Sequence, residues 1–134
     1  MRYRTLVILG MISSLVACAS FVDDRPPEEI VAERAAKHLD LLHKQEWEAA
    51  LQFTTPSFRE SNTPEVYAKR YGGVWMWSAT RVGNVTCDAG AEVTRCVADT
   101  YRTVQMPPTT WESEHYKPRV WIKVDRDWYI FERS

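Results

Sequence analysis

The chain lacks an apolar run long enough to cross a membrane: its longest stretch, Leu6-Val7-Ile8-Leu9-Gly10-Met11-Ile12, falls well short of the ~20 residues a spanning helix needs. It lacks a charge excess of either sign, with 17 Lys and Arg against 18 Asp and Glu, so it has no basic footprint for nucleic acid and no charged tail. Cysteine and histidine are scarce, three of each. There is no Cys-x-x-Cys, and His38, His43 and His115 are scattered, so no zinc-ligand spacing is present. No internal repeat or low-complexity segment appears, and no pattern calls for a cofactor.

What is present begins at the N-terminus. Arg2 and Arg4 precede the short apolar run, and no acidic residue occurs before Asp23. This is the layout of a secretory signal. Leu15-Val16-Ala17-Cys18 follows it and resembles the lipobox of bacterial lipoproteins. That resemblance implies a diacylglycerol on the Cys18 thiol and cleavage before it. The alternative is an ordinary signal peptide cut near Ala17 or Ala19. Two or three acyl chains hold a protein firmly where one holds it marginally, each buried CH₂ adding ~0.8 kcal/mol. Ala19 stands where the family's inner-membrane retention signal would place Asp. By that resemblance a two-membrane host sends the protein to the periplasmic side of its outer membrane; otherwise it sits on the outer face of the cell membrane.

Three segments result: a signal peptide over 1–17, a lipidated N-terminus and tether over 18–27, and one domain over 28–134. Loss of the signal removes Arg2 and Arg4, so the basic count falls from 17 to 15 against 18 acids, near −3. All six Trp and all but one of the six Tyr remain, enough for a core with aromatics left over for a surface or pocket. Cys87 and Cys96 flank Asp88-Ala89-Gly90-Ala91-Glu92 with no third partner, and a secreted context makes them a disulfide across a hairpin.

Helical spacing starts near Pro27, with Glu28 and Glu29 in the first turn. Val31, Ala35, His38 and Leu42 share one face, flanked by Leu39 and Leu41; Glu33, Lys37, Asp40 and Lys44 lie opposite. Gln45 is the break point. A second helix carries Trp47, Ala50 and Leu51, and Thr54-Thr55-Pro56 ends it. Thr63 and Pro64 open a short third helix that runs to about Tyr71, stopped by Gly72-Gly73. From Val74 onward the pattern is strand: 74–87, 92–105, 111–124 with a bend near Pro118, and 128–132 after the turn at Asp125-Arg126-Asp127. The expectation is an α+β domain: three N-terminal helices packed on a strongly curved, four-stranded antiparallel sheet.

Lys44-Gln45-Glu46-Trp47-Glu48-Ala49-Ala50-Leu51, Thr55-Pro56-Ser57-Phe58-Arg59 and the closing Val124-Asp125-Arg126-Asp127-Trp128-Tyr129-Ile130 resemble the nuclear-transport-factor-2-like superfamily, the cone-shaped cystatin-like fold. The likeness spans residues 28–132, and the long third strand departs from the shortest members. It implies two competing functions. One is a non-enzymatic envelope module, an assembly accessory that binds a partner protein or small ligand. The other is an isomerase- or dehydratase-like enzyme with its site inside the cone. For the enzyme, Asp99 shares a strand face with Val97 and Tyr101 and could be a tuned base, His38 a proton shuttle, and Tyr67 a donor one turn from Tyr71 at the cavity mouth. The structural alternatives are an Asp99 ion pair with Arg81 or Arg119, and a hydrogen-bonded boundary histidine. For the module, Trp75 and Trp77 on one strand face, with Tyr101 and Trp121 near them, would form a docking surface, unless that face is covered core.

Overall fold

The computed structural model describes residues 23–133. The signal peptide, Cys18 and the first part of the tether lie outside the described residues. No helix among the described residues is long and apolar enough to cross a membrane.

Helix α1 spans Pro27–His43, with Pro27 at its first position and Glu28 and Glu29 in its first turn. Its buried residues are Val31, Ala35, His38, Leu39 and Leu42, the stripe expected from the spacing. Gln45 takes a φ of 58°, a left-handed conformation that breaks the helix and turns the chain into α2, Trp47–Leu51. A helix absent from the expected three follows: α3, Pro56–Ser61. Pro56 does not end a helix here. It stands at the first position of a new one, where its missing N–H costs nothing. Helix α4, Pro64–Ala68, starts as expected, the Thr63 side chain accepting from Val66 N–H. Its continuation through Lys69–Tyr71 is a 3₁₀ turn.

The sheet is antiparallel in the order β1-β2-β3-β4: β1 Trp77–Cys87, β2 Arg95–Gln105, β3 Glu112–Val124 and β4 Asp127–Ile130. The α+β class and the four-stranded antiparallel meander are therefore as expected, and the sheet is not closed. Val74–Met76, read as strand, is a second 3₁₀ turn, and β1 begins only at Trp77. Register slips between Trp77 and Ala79 and between Val82 and Val85 are bulges of the kind that bend a strand. Within the second slip lies Gly83, where an added Cβ would stand 2.8 Å from the Tyr101 ring, so only glycine admits that ring.

Period two splits β2 cleanly. Cys96, Ala98 and Thr100 are buried on the inner face; Val97, Asp99 and Tyr101 lie on the outer. α1 covers the inner face, its Val31 and Ala35 packing with Cys96, Ala98, Trp121, Trp128 and Ile130. A second core joins Leu42 of α1 to Leu51, Phe58, Tyr67, Tyr71 and Trp77. Cys87 and Cys96 are register partners and form the expected disulfide.

Candidate functional site

Four polar residues proposed or implied by the sequence meet in the interior, brought there by four separate elements. His38 comes from mid-α1, Tyr67 from α4, Tyr71 from the 3₁₀ turn after it, and Arg119 from β3, where it shares the inward phase of Trp121. His38 Nε2 and the Tyr67 hydroxyl are 2.8 Å apart, and the two tyrosine hydroxyls 3.4 Å apart. Tyr71 donates to Glu132 Oε1 at 3.0 Å and accepts from Arg119 at 2.9 Å. Arg119 also donates to Glu132 at 3.0 Å.

The direction of this chain follows from counting protons. Tyr71 has one hydroxyl proton, and Glu132 takes it. A bond between the tyrosines then uses the Tyr67 proton, so Tyr67 accepts from His38, which carries its proton on Nε2. Donation runs one way, from the imidazole to the carboxylate.

The electrostatics match a neutral histidine. Burial first, then the charges of Arg119 and Arg34, push the His38 pKa down to about 3. Burial raises both tyrosines, and for Tyr67 the neighbouring Tyr71 adds to it. For Arg119 burial works against the charge, but Tyr71 and Glu132 overcome it and hold the guanidinium charged. Beside Leu39, Trp77, Thr100 and Arg119 the accessible space is about 10 Å³, on the order of a single water. Tyr67 is fully buried, not at a rim. The arrangement holds a charged pair largely out of water: His38 and Tyr67 are closed in by packing, while Arg119 and Glu132 at the other end of the chain border an open groove of about 600 Å³.

Asp99 lies on the other face of β2. It accepts from Tyr116 at 2.8 Å and pairs with neither suggested arginine: Arg81 pairs with Glu114 at 2.6 Å, and Arg119 with Glu132. His38 and Asp99 therefore face opposite sides of the sheet and cannot work on one molecule. The physical reason is parity: Asp99 alternates with Ala98 and Thr100, which point at α1.

The four aromatics suggested as a docking surface are also separated. Trp77 and Trp121 are core, Trp121 with no exposure at all, because α1, α2 and the inner sheet face close over them. Tyr101 sits on the outer face beneath Arg81, whose guanidinium is 3.7 Å from the ring centre. Only Trp75 is free, 64 % exposed, since the 3₁₀ turn takes it out of phase with Trp77. Two large apolar residues that were not singled out join it at that end of the sheet: Met106, 60 % exposed, and Trp111, 84 % exposed. Trp77 pairs with Val104 and Gln105 with Glu112, so the residues just before β1, just after β2 and just before β3 share one end. Pro107-Pro108 was the legible signal: a proline pair cannot continue the ladder, so Met106 and Trp111 had to flank a connection.

No protein-family model and no curated protein matches the chain. Among solved structures, it is similar to a SEC-C motif containing protein from Psychrobacter arcticus, with a TM-score of 0.61 and 10% identity, covering 82% of this chain and 63% of that one. It is also similar to a SEC-C motif containing protein from Rhodopseudomonas palustris, with a TM-score of 0.55 and 14% identity, covering 74% of this chain and 73% of that one. At these identities the likeness is one of fold alone.

Proposed function

We propose that this chain is a membrane-anchored envelope lipoprotein, held by lipid on Cys18, whose domain is a non-enzymatic binding or assembly-accessory module of the nuclear-transport-factor-2-like cone type. The observation that carries the binding role is the cluster of large apolar side chains, Trp75, Met106 and Trp111, left exposed at one end of the sheet. Exposed aromatics and methionine gathered at one place favour a partner surface. The interior favours the same reading: His38 is sealed and neutral, and it lies across the sheet from Asp99.

The geometry favours a protein partner over the anchoring membrane. The tether enters at the start of α1, and His43 at its far end reaches the Trp77 carbonyl at 2.9 Å. Seventeen helical residues at 1.5 Å each put the aromatic end ~25 Å from the tether. The test is affinity capture after crosslinking in intact envelopes. One stoichiometric partner, lost with Trp111→Ser while the fold persists, supports the module. Undiminished capture by that variant together with Trp75→Ser rejects this surface.

A further inference from the structure

Strand β4 ends with Ile130 opposite Trp121, and the next backbone contact is Phe131 N–H to the Val120 carbonyl at 2.8 Å. Residues of β3 before Val120 have no strand partner on that side. A groove of about 600 Å³ follows this uncovered edge. Because it wraps an edge, it draws side chains from both faces of β3.

Five cationic side chains line it: Arg70, Arg95, Lys117, Arg119 and Arg133. Its one carboxylate, Glu132, is held by Arg119 and Tyr71, each at 3.0 Å, with Arg70 at 4.0 Å, and Arg95 pairs with Asp88 at 3.3 Å, so the cations still outnumber the carboxylates. The excess positive charge is felt locally. Lys117 is held below the usual lysine range by Arg119 first, then by burial and by Arg102 and Arg70, with Glu132 opposing. Among the described residues its ammonium makes no hydrogen bond or ion pair. Cations crowded this way repel one another, and an anion placed among them removes that repulsion. Beside them the groove is apolar, lined by Pro118, Val120, Ile122 and Phe131, the last 49 % exposed. A cationic cluster next to an apolar strip suits a ligand with an oxyanion head and a hydrocarbon portion.

Position agrees with this chemistry. β3 starts at the aromatic end and runs toward the end where α1 begins, where Ile30 and Arg34 share a second groove with Lys123 and Trp128. Residues 117–122 thus lie on the tether side of the exposed tryptophans. We infer that this groove binds the phosphate headgroup of an anionic lipid, with the adjoining carbons against Val120, Ile122 and Phe131. The inference deepens the binding-module reading and rests on it.

A free phosphate ester shares the headgroup chemistry, so the test sets the two against each other. The mature lipidated chain, held in a nonionic detergent, is titrated calorimetrically with dihexanoyl phosphatidic acid, with sn-glycerol 3-phosphate and with dihexanoyl phosphatidylcholine. The first should bind at least ~10-fold tighter than the other two, and the double variant Arg95→Glu, Lys117→Glu should lose at least ~10-fold of that affinity. Both residues are exposed, so unchanged circular dichroism is expected of the double variant. Phe131→Ser should weaken the lipid and leave glycerol phosphate unaffected. Equal affinity for lipid and glycerol phosphate would overturn the lipid assignment. Binding that ignores the charge reversals, or no binding, would overturn the site. Partner capture from envelopes that persists in that event leaves the module reading standing and removes this inference alone.

Discussion

The imidazole of His38 and the hydroxyl of Tyr67, 29 residues apart in sequence, meet at 2.8 Å where neither touches solvent. The contact begins a donor chain that ends on the Arg119–Glu132 pair, so it ties α1 to β3 and the C-terminal segment through α4. His38, Tyr67, Tyr71 and Arg119 in that chain are buried, and the cost of each is met only while its neighbour is in place.

Removing one link should therefore be expensive. Tyr67→Phe keeps the ring's packing but leaves the His38 N–H buried without an acceptor. The expected loss is about 1–3 kcal/mol in urea unfolding. A change within about 0.5 kcal/mol, the range of neutral surface substitutions, would mean the hydrogen bond is not as described.

The same histidine makes stability depend on pH. Unfolded, it ionises near 6.5; folded, only near 3. Between those values the unfolded chain binds a proton that the folded chain does not, so stability falls as pH drops below 6.5 and this contribution levels off below 3. Between pH 7 and pH 5 the group should cost about 2 kcal/mol. His38→Gln retains a donor to Tyr67 and cannot titrate. Its unfolding free energy should fall by that much less than the wild type over the same interval; parallel pH profiles would refute the burial of a neutral His38.

Much of this framework is legible in the sequence. The α1 stripe, the Gln45 break, the Thr63 cap and the strand meander follow from periodicity and capping, both local. The errors have local causes as well. Pro56 reads as a stop although the same residue equally starts a helix, and Val74-Trp75-Met76 looks like strand because its residues favour one. The buried chain is different. Arg119 is suggested by the sequence only as a partner for Asp99, and nothing in the order of residues says that Glu132 and Tyr71 would meet it on the inner face instead. Those are tertiary contacts between segments 13 and 48 residues apart. The exposed cluster is not legible from alternation, because Trp75, Met106 and Trp111 lie beyond the ends of the strands, where period two carries no information.

The Cys87–Cys96 disulfide joins register partners in β1 and β2 and closes a loop with a sequence separation of 9. A loop this short restricts the unfolded chain modestly, so the double substitution Cys87→Ala, Cys96→Ala should cost no more than ~3 kcal/mol and leave the domain folded. Loss of cooperative unfolding in that variant would show that the bond defines the fold and does not merely reinforce it.

For the anchor, Cys18→Ala should abolish incorporation of labelled fatty acid and leave the precursor uncut. Unlabelled wild-type protein in the soluble periplasmic fraction would refute lipidation.

The claim that the aromatic end is the docking surface is most directly tested by photocrosslinking in living cells, with a photoreactive residue at position 111 or, as a control, at position 48 on the exposed face of α2. A single discrete crosslinked species from position 111, absent from position 48, is the predicted result. Identical patterns from both positions, or no crosslink at 111 when the protein is present at native level, would contradict the account.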